Sequence, residues 1–242
     1  MLREETLRYL RYTDQLLSDE QNALIDTAIA EVLEYAVPRT VHRVFTLHEK
    51  DGLLGIDAEI DLHYPDIQRL LTGCGSCLLI AGTLGVPLDQ KMRYYSRFDM
   101  TRYIIMDAAA SALVEETCDS LQESLPYSPY TFRFSPGYGD VPLSLQKKLL
   151  QVLDAGRRIG LTLTPNMLML PQKSISGIVG IGKSSRIGEM YPVSNEIRDD
   201  KEHDTGNENI LSMESQKRTC NNCLRYNNCE YRRNNTVCYQ IK

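Results

Sequence analysis

Hydrophobic and polar positions along the chain alternate with two distinct periods. Asp19 to Ala36 sets Leu24, Ile25, Ala28, Ile29, Val32, Leu33 and Ala36 at helical spacing, with Ser18 or Asp19 available as a cap and Pro38 as a stop. A shorter helix is predicted before it, over Glu4 to Leu10. Two strand-like runs follow, Val41 to Leu47 and Leu54 to Ile60, parted by the turn-prone Lys50-Asp51-Gly52. Pro65 to Leu71 suits a short helix, and Cys77 to Ala81 suits a buried strand that stops at Gly82. The most regular stretch runs from Phe98 to Leu125, free of Gly and Pro and rich in Ala, Met, Leu and Glu, so it predicts one long helix. Beyond it come a strand at Tyr130 to Phe134, a tight turn at Pro136-Gly137-Tyr138-Gly139 and an amphipathic helix over Ser144 to Leu153. Further strands are predicted at Leu161 to Leu163 and Ile175 to Ile181. These elements predict an α+β body with one long helix as its spine.

After Lys183 the pattern stops. Arg198 to Asp204 and the polar run to Glu208 offer almost nothing to bury, and mixed charge with sparse apolar residues predicts a flexible linker over residues 183–218. The expected organisation is therefore a body over 1–182, the linker, and a Cys-rich module over 219–242. The last holds Cys220, Cys223, Cys229 and Cys238, four thiolates within nineteen residues, a set that suits tetrahedral zinc or an iron–sulfur cluster although its spacing is that of neither a common ferredoxin nor a tight zinc ribbon.

Composition narrows the function. The 242 residues carry a formal net charge of −5, which argues against a nucleic-acid binder. No run nears the roughly 18 to 20 apolar residues of a membrane-spanning helix. The acidic start, Met1-Leu2-Arg3-Glu4-Glu5, has no export-signal pattern, so a cytoplasmic location is expected. Seven cysteines, an odd number, speak against a disulfide framework, and the four scattered histidines against a histidine metalloenzyme.

Two motifs invite chemistry that their context refuses. Gly177-Ile178-Val179-Gly180-Ile181-Gly182-Lys183-Ser184 fits the spacing of a phosphate-binding loop, which must lie between a strand and a helix. Here the loop residues are themselves strand-like, and Gly188 and Pro192 forbid a helix after them. Cys74-Gly75-Ser76-Cys77 has redox-pair spacing, but it runs into the apolar Leu78-Leu79-Ile80-Ala81 rather than a helix N-terminus, so two packed cysteines are expected.

The segment Arg133-Phe134-Ser135-Pro136-Gly137-Tyr138, followed by Gly139-Asp140-Val141-Pro142, resembles the Arg-x-x-x-Gly-Tyr-x-x-x-Pro signature of cobalamin-dependent methionine synthase activation domains. Ala108 to Leu121, with Glu115, is similar to that family's long helix, and Leu163-Thr164 with Met169 to Gly177 resembles its later Ser-x-Ser-Gly segment. The resemblance spans about residues 78 to 181. It departs at Gly139-Asp140-Val141, where the family has Pro-Ala-Cys, and at Ile178-Val179, where it has an aromatic residue.

What the resemblance implies is specific. The fold would be a small antiparallel sheet flanked by helices. S-adenosylmethionine would be bound by Arg133 on its carboxylate, Glu115 toward its cationic end, Ser135 through its backbone, Gly137 at the turn and Tyr138 alongside. The role would be that of a free-standing reactivation subunit, with no catalytic residue of its own. Cobalamin would enter only through a partner, a corrinoid-binding methionine synthase lacking its own activation domain, with flavodoxin or ferredoxin as electron donor. A reactivator for another corrinoid methyltransferase protein and a metal or redox interaction module are the alternatives.

Overall fold

The structure is a computed structural model that describes residues 2–12 and 15–182. The predicted linker and Cys-rich module lie outside the described residues. Helices α1 (Leu2–Tyr9) and α2 (Asp19–Tyr35) come first. Ser18 caps α2 in a full capping box: its hydroxyl accepts from the Gln21 N–H at 3.2 Å, and the Gln21 amide oxygen accepts from the Ser18 N–H at 2.9 Å.

Strand β1 (Arg39–Thr46) matches its predicted run closely, but the second run does not hold as a strand. Only the short hairpin β2 (His48–Lys50) and β3 (Leu53–Gly55) forms there. Beyond Gly55 the backbone curls instead: Ala58 N–H donates to the Ile56 carbonyl at 2.9 Å and Ile60 N–H to the Ala58 carbonyl at 2.8 Å, successive three-residue turns that leave no extended run. The Gln68 amide accepts from the Leu54 N–H and donates to the carbonyls of Leu54 and Leu62, all within 2.9 Å, which ties the outer edge of β3 and the end of the loop to the helix that follows. Gln68 belongs to α3 (Pro65–Leu71), after which β4 (Cys74–Thr83) runs longer than its apolar core suggested.

The long helix is present as α5 (Met100–Ser124), but Phe98 belongs to a separate preceding helix, α4 (Val86–Phe98). Asp99 separates the two: its backbone leaves helical geometry, and its carboxylate accepts from the Arg102 N–H at 3.0 Å, capping α5. Then follow α6 (Leu145–Val152), α7 (Ala155–Ile159), the small pair β5 (Thr162–Leu163) and β6 (Met169–Leu170), and β7 (Ser174–Gly182).

The main sheet is antiparallel in the order β1-β4-β7, with the strand first predicted from Cys77 to Ala81 at its centre. Alternation sends Leu78, Ile80, Val179 and Ile181 to one face, where they pack with Cys118 of α5. Gly180 points the other way, toward the Leu70 carbonyl, so α3 lies on the opposite face. On its far side α5 is enclosed by α1, α2 and α4 through Ile25, Ala28, Val32, Leu88, Met106 and Ala109. Helix α5 is thus covered on two sides, which is why its apolar residues form no single stripe.

Candidate functional site

Residues 130–134 run beside β7 without forming a named strand. Phe134 N–H donates to the Ile178 carbonyl, Ile178 N–H returns the bond to Phe134, and Thr131 N–H donates to Gly180, at 2.8 to 2.9 Å. This ribbon carries Arg133 over the α5 face of the sheet. The approach is close because β7 has no side chain at Gly177: a Cβ there would stand 3.0 Å from Arg133 Cδ, closer still to its Cγ, and 3.3 Å from the Phe134 carbonyl. Gly180 is similarly pressed, by Cys74 Sγ at 2.6 Å and Thr131 Cγ2 at 3.0 Å from its would-be Cβ. The glycines that mimic a phosphate loop therefore sit within a strand and answer to packing. Residues 177–182 belong to β7, while Lys183 and Ser184 lie outside the described residues.

Arg133 ends on α5. One terminal nitrogen, Nη1, donates to Gln122 Oε1 at 2.6 Å and faces Asp119 Oδ1 at 3.1 Å, and the other donates to Glu115. The arginine side chain is 5% exposed, against 42% for Glu115 and 57% for Asp119. Burial opposes the guanidinium charge, but Glu115 and Asp119 outweigh it and hold Arg133 above the ordinary arginine range. Within this contact set one cation meets two carboxylates, a surplus of one negative charge.

Glu115 and Arg133 are therefore brought together as a helix–ribbon ion pair, joined by Asp119 and by the neutral acceptor Gln122, two partners the sequence reading missed. The signal was available: 115, 119 and 122 share one face of a helix at i, i+4 and i+7. Farther up the same helix, half-buried Lys173 pairs with Asp107 at 2.8 Å and donates to Ser111 Oγ at 2.9 Å, so α5 holds the start of β7 through Lys173 and the ribbon beside it through Arg133.

The remaining predicted residues follow Arg133 on the turn. Ser135 is half-buried, and Gly137 takes the left-handed φ of 92° while its N–H donates to the Val141 carbonyl at 3.0 Å. Tyr138 stands outward, 59% exposed. The turn is anchored on α3, where Asp66 N–H donates to the Asp140 carboxylate at 3.3 Å and Asp140 N–H returns a bond to Asp66 at 3.2 Å.

Cys74, Cys77 and Cys118 are free buried thiols. Burial pushes Cys77 and Cys118 up to about 12, so neither is a thiolate near neutrality, in keeping with packed cysteines rather than a redox pair. An open groove of about 640 Å³ between α6, α7 and the β5–β6 pair, lined by Leu150, Leu161, Thr164 and Met167 among others, contains none of the five candidate residues. Cys220, Cys223, Cys229 and Cys238 lie outside the described residues. Among the described residues no helix is long and apolar enough to cross a membrane.

The class defined by this fold is an α+β domain with a small antiparallel sheet, a long helix across one face and an arginine ribbon beside the last strand. Residues 114–205 match the family described as the vitamin B12 dependent methionine synthase activation domain. The matched stretch includes Glu115, Arg133, Ser135, Gly137 and Tyr138. The fold is similar to a crystal structure of the MetH reactivation domain bound to AdoHcy, with a TM-score of 0.54 and 17% identity, covering 75% of this chain and 70% of that one. No curated protein matches the chain.

Proposed function

We propose that this protein binds S-adenosylmethionine and presents it for the reductive methylation of cobalamin held by a partner, a methionine synthase without an activation domain of its own. The observation that carries this reading is the Arg133–Glu115 pair, set between α5 and the β7 ribbon inside the stretch that matches the activation-domain family. The donor set fits the ligand. S-adenosylmethionine has one carboxylate and two cationic centres, for a net charge of +1, and the Arg133 contact set has one cation and two anions.

In this reading Arg133 anchors the methionyl carboxylate through its guanidinium fork, and Glu115 balances the cationic end. The Ser135 backbone and the Gly137 turn let the chain pass closely around the ligand, and Tyr138 covers it. The ligand supplies the methyl group and cobalamin the metal chemistry, while the residues of this chain bind and orient. The electron comes from a flavodoxin- or ferredoxin-type donor, and the site of action is cytoplasmic. The full chain is expected to give a saturable heat of binding with S-adenosylmethionine in titration calorimetry. A flat titration at millimolar ligand would end the assignment.

The linker over 183–218 and the module over 219–242 complete the proposal. Cys220, Cys223, Cys229 and Cys238 hold zinc or an iron–sulfur cluster that orders the module. Protein purified without oxygen is expected to contain bound zinc or to absorb as an iron–sulfur protein. Changing Cys220 and Cys223 to serine removes that metal. Equal metal content in wild type and the double variant would refute the assignment.

A further inference from the structure

We propose that Asp119 is an internal competitor for the ligand's carboxylate at Arg133, and so a residue that sets how strongly the site selects carboxylate-bearing ligands. This rests on the reading of Arg133 as the carboxylate anchor. With its side chain 5% exposed and two carboxylates already on it, Arg133 has no open approach for a third, so an incoming one must exchange with a group already there.

Three groups hold the guanidinium, and they are unequal. Glu115 and Gln122 accept hydrogen bonds from it. Asp119 faces Nη1 by charge at 3.1 Å and is 57% exposed, more than Glu115 at 42%. Returning a carboxylate to water costs least where it is already most hydrated. Gln122 is neutral and does not repel an arriving anion, and Glu115 is the group that balances the ligand's positive end. Asp119 is then the group that leaves, and until it leaves it repels the arriving carboxylate.

The test compares S-adenosylmethionine with its decarboxylated analogue, which keeps both cationic centres and lacks only the carboxylate. Dissociation constants are measured by calorimetry on the full chain as wild type, Asp119→Asn and Asp119→Glu. Loss of cation attraction weakens both ligands alike in Asp119→Asn, so the informative quantity is the ratio of the two affinities. That ratio is expected to shift about three- to fivefold toward S-adenosylmethionine in Asp119→Asn, the size of an exposed ion pair. Asp119→Glu, which restores the charge, should keep the wild-type ratio. Since the side chain is more than half exposed, neither variant threatens folding.

An unchanged ratio in Asp119→Asn, with S-adenosylmethionine still bound, overturns the competitor role and leaves the Arg133 anchor standing. An equal shift in both variants overturns it too, because charge would not be the cause. Absence of S-adenosylmethionine binding in wild type and both variants removes the anchor reading, and this proposal with it.

Discussion

A Gly177→Val variant is expected to lose stability and S-adenosylmethionine binding together. The new Cβ would overlap the middle of the Arg133 side chain, and the Phe134 carbonyl stands 3.3 Å away on the other flank. Arg133 cannot yield by moving only its tip, because the conflict is at Cγ and Cδ. Either the 130–134 ribbon parts from β7, giving up the paired bonds between Phe134 and Ile178, or β7 shifts against β4. Overpacking of this kind costs about 1 to 3 kcal/mol, and the lost backbone bonds place this site near the upper end. Urea denaturation followed by circular dichroism reads the first effect and calorimetry the second. A variant with the wild-type midpoint and affinity would show that Arg133 does not depend on this close approach.

The second large effect is expected from Arg133→Ala. Affinity for S-adenosylmethionine should fall roughly ten- to a hundredfold, the loss of a charged hydrogen-bond partner worth ~1.5 to 3 kcal/mol. The fold should weaken as well, since Glu115 and Asp119 would face each other without a cation. Removing one member of a fully buried ion pair costs ~3 to 5 kcal/mol. Both carboxylates here reach solvent, so a smaller loss of about 1 to 2 kcal/mol is expected. Arg133→Lys separates the two effects: it keeps the charge but not the fork, so stability should recover further than affinity. Full affinity in a folded Arg133→Ala protein would place the ligand's carboxylate elsewhere.

Much of this was legible in the chain because it is local. The cap at Ser18, the apolar core of the central strand over Cys77 to Ala81, the run of helix formers that became α5, and the Arg-x-x-x-Gly-Tyr turn are all written within a few residues of themselves. The misreadings have two different causes. Leu54 to Ile60 has the composition of a strand, but beyond Gly55 it turns on itself twice and buries Ile56 and Ile60, while the outer edge of Leu54 is taken by Gln68, fourteen residues on, rather than by another strand. Phe98 extends the helical pattern of α5 on paper, yet Asp99 breaks it and assigns Phe98 to α4.

The candidate site divides along the same line. Sequence alone determined the residue types and their order: one arginine, a turn built on Gly137, and an acidic helix before them. Local spacing specifies turns and helix faces, since both depend on backbone geometry over a few residues. Only the tertiary structure decided which of the helix acids Arg133 meets, because its partners Gln122 and Glu115 are 11 and 18 residues away across a chain reversal. It also decided what Gly177 is for. That glycine pattern reads in sequence as a phosphate loop, and only strand register places Gly177 beneath Arg133, where a side chain has no room.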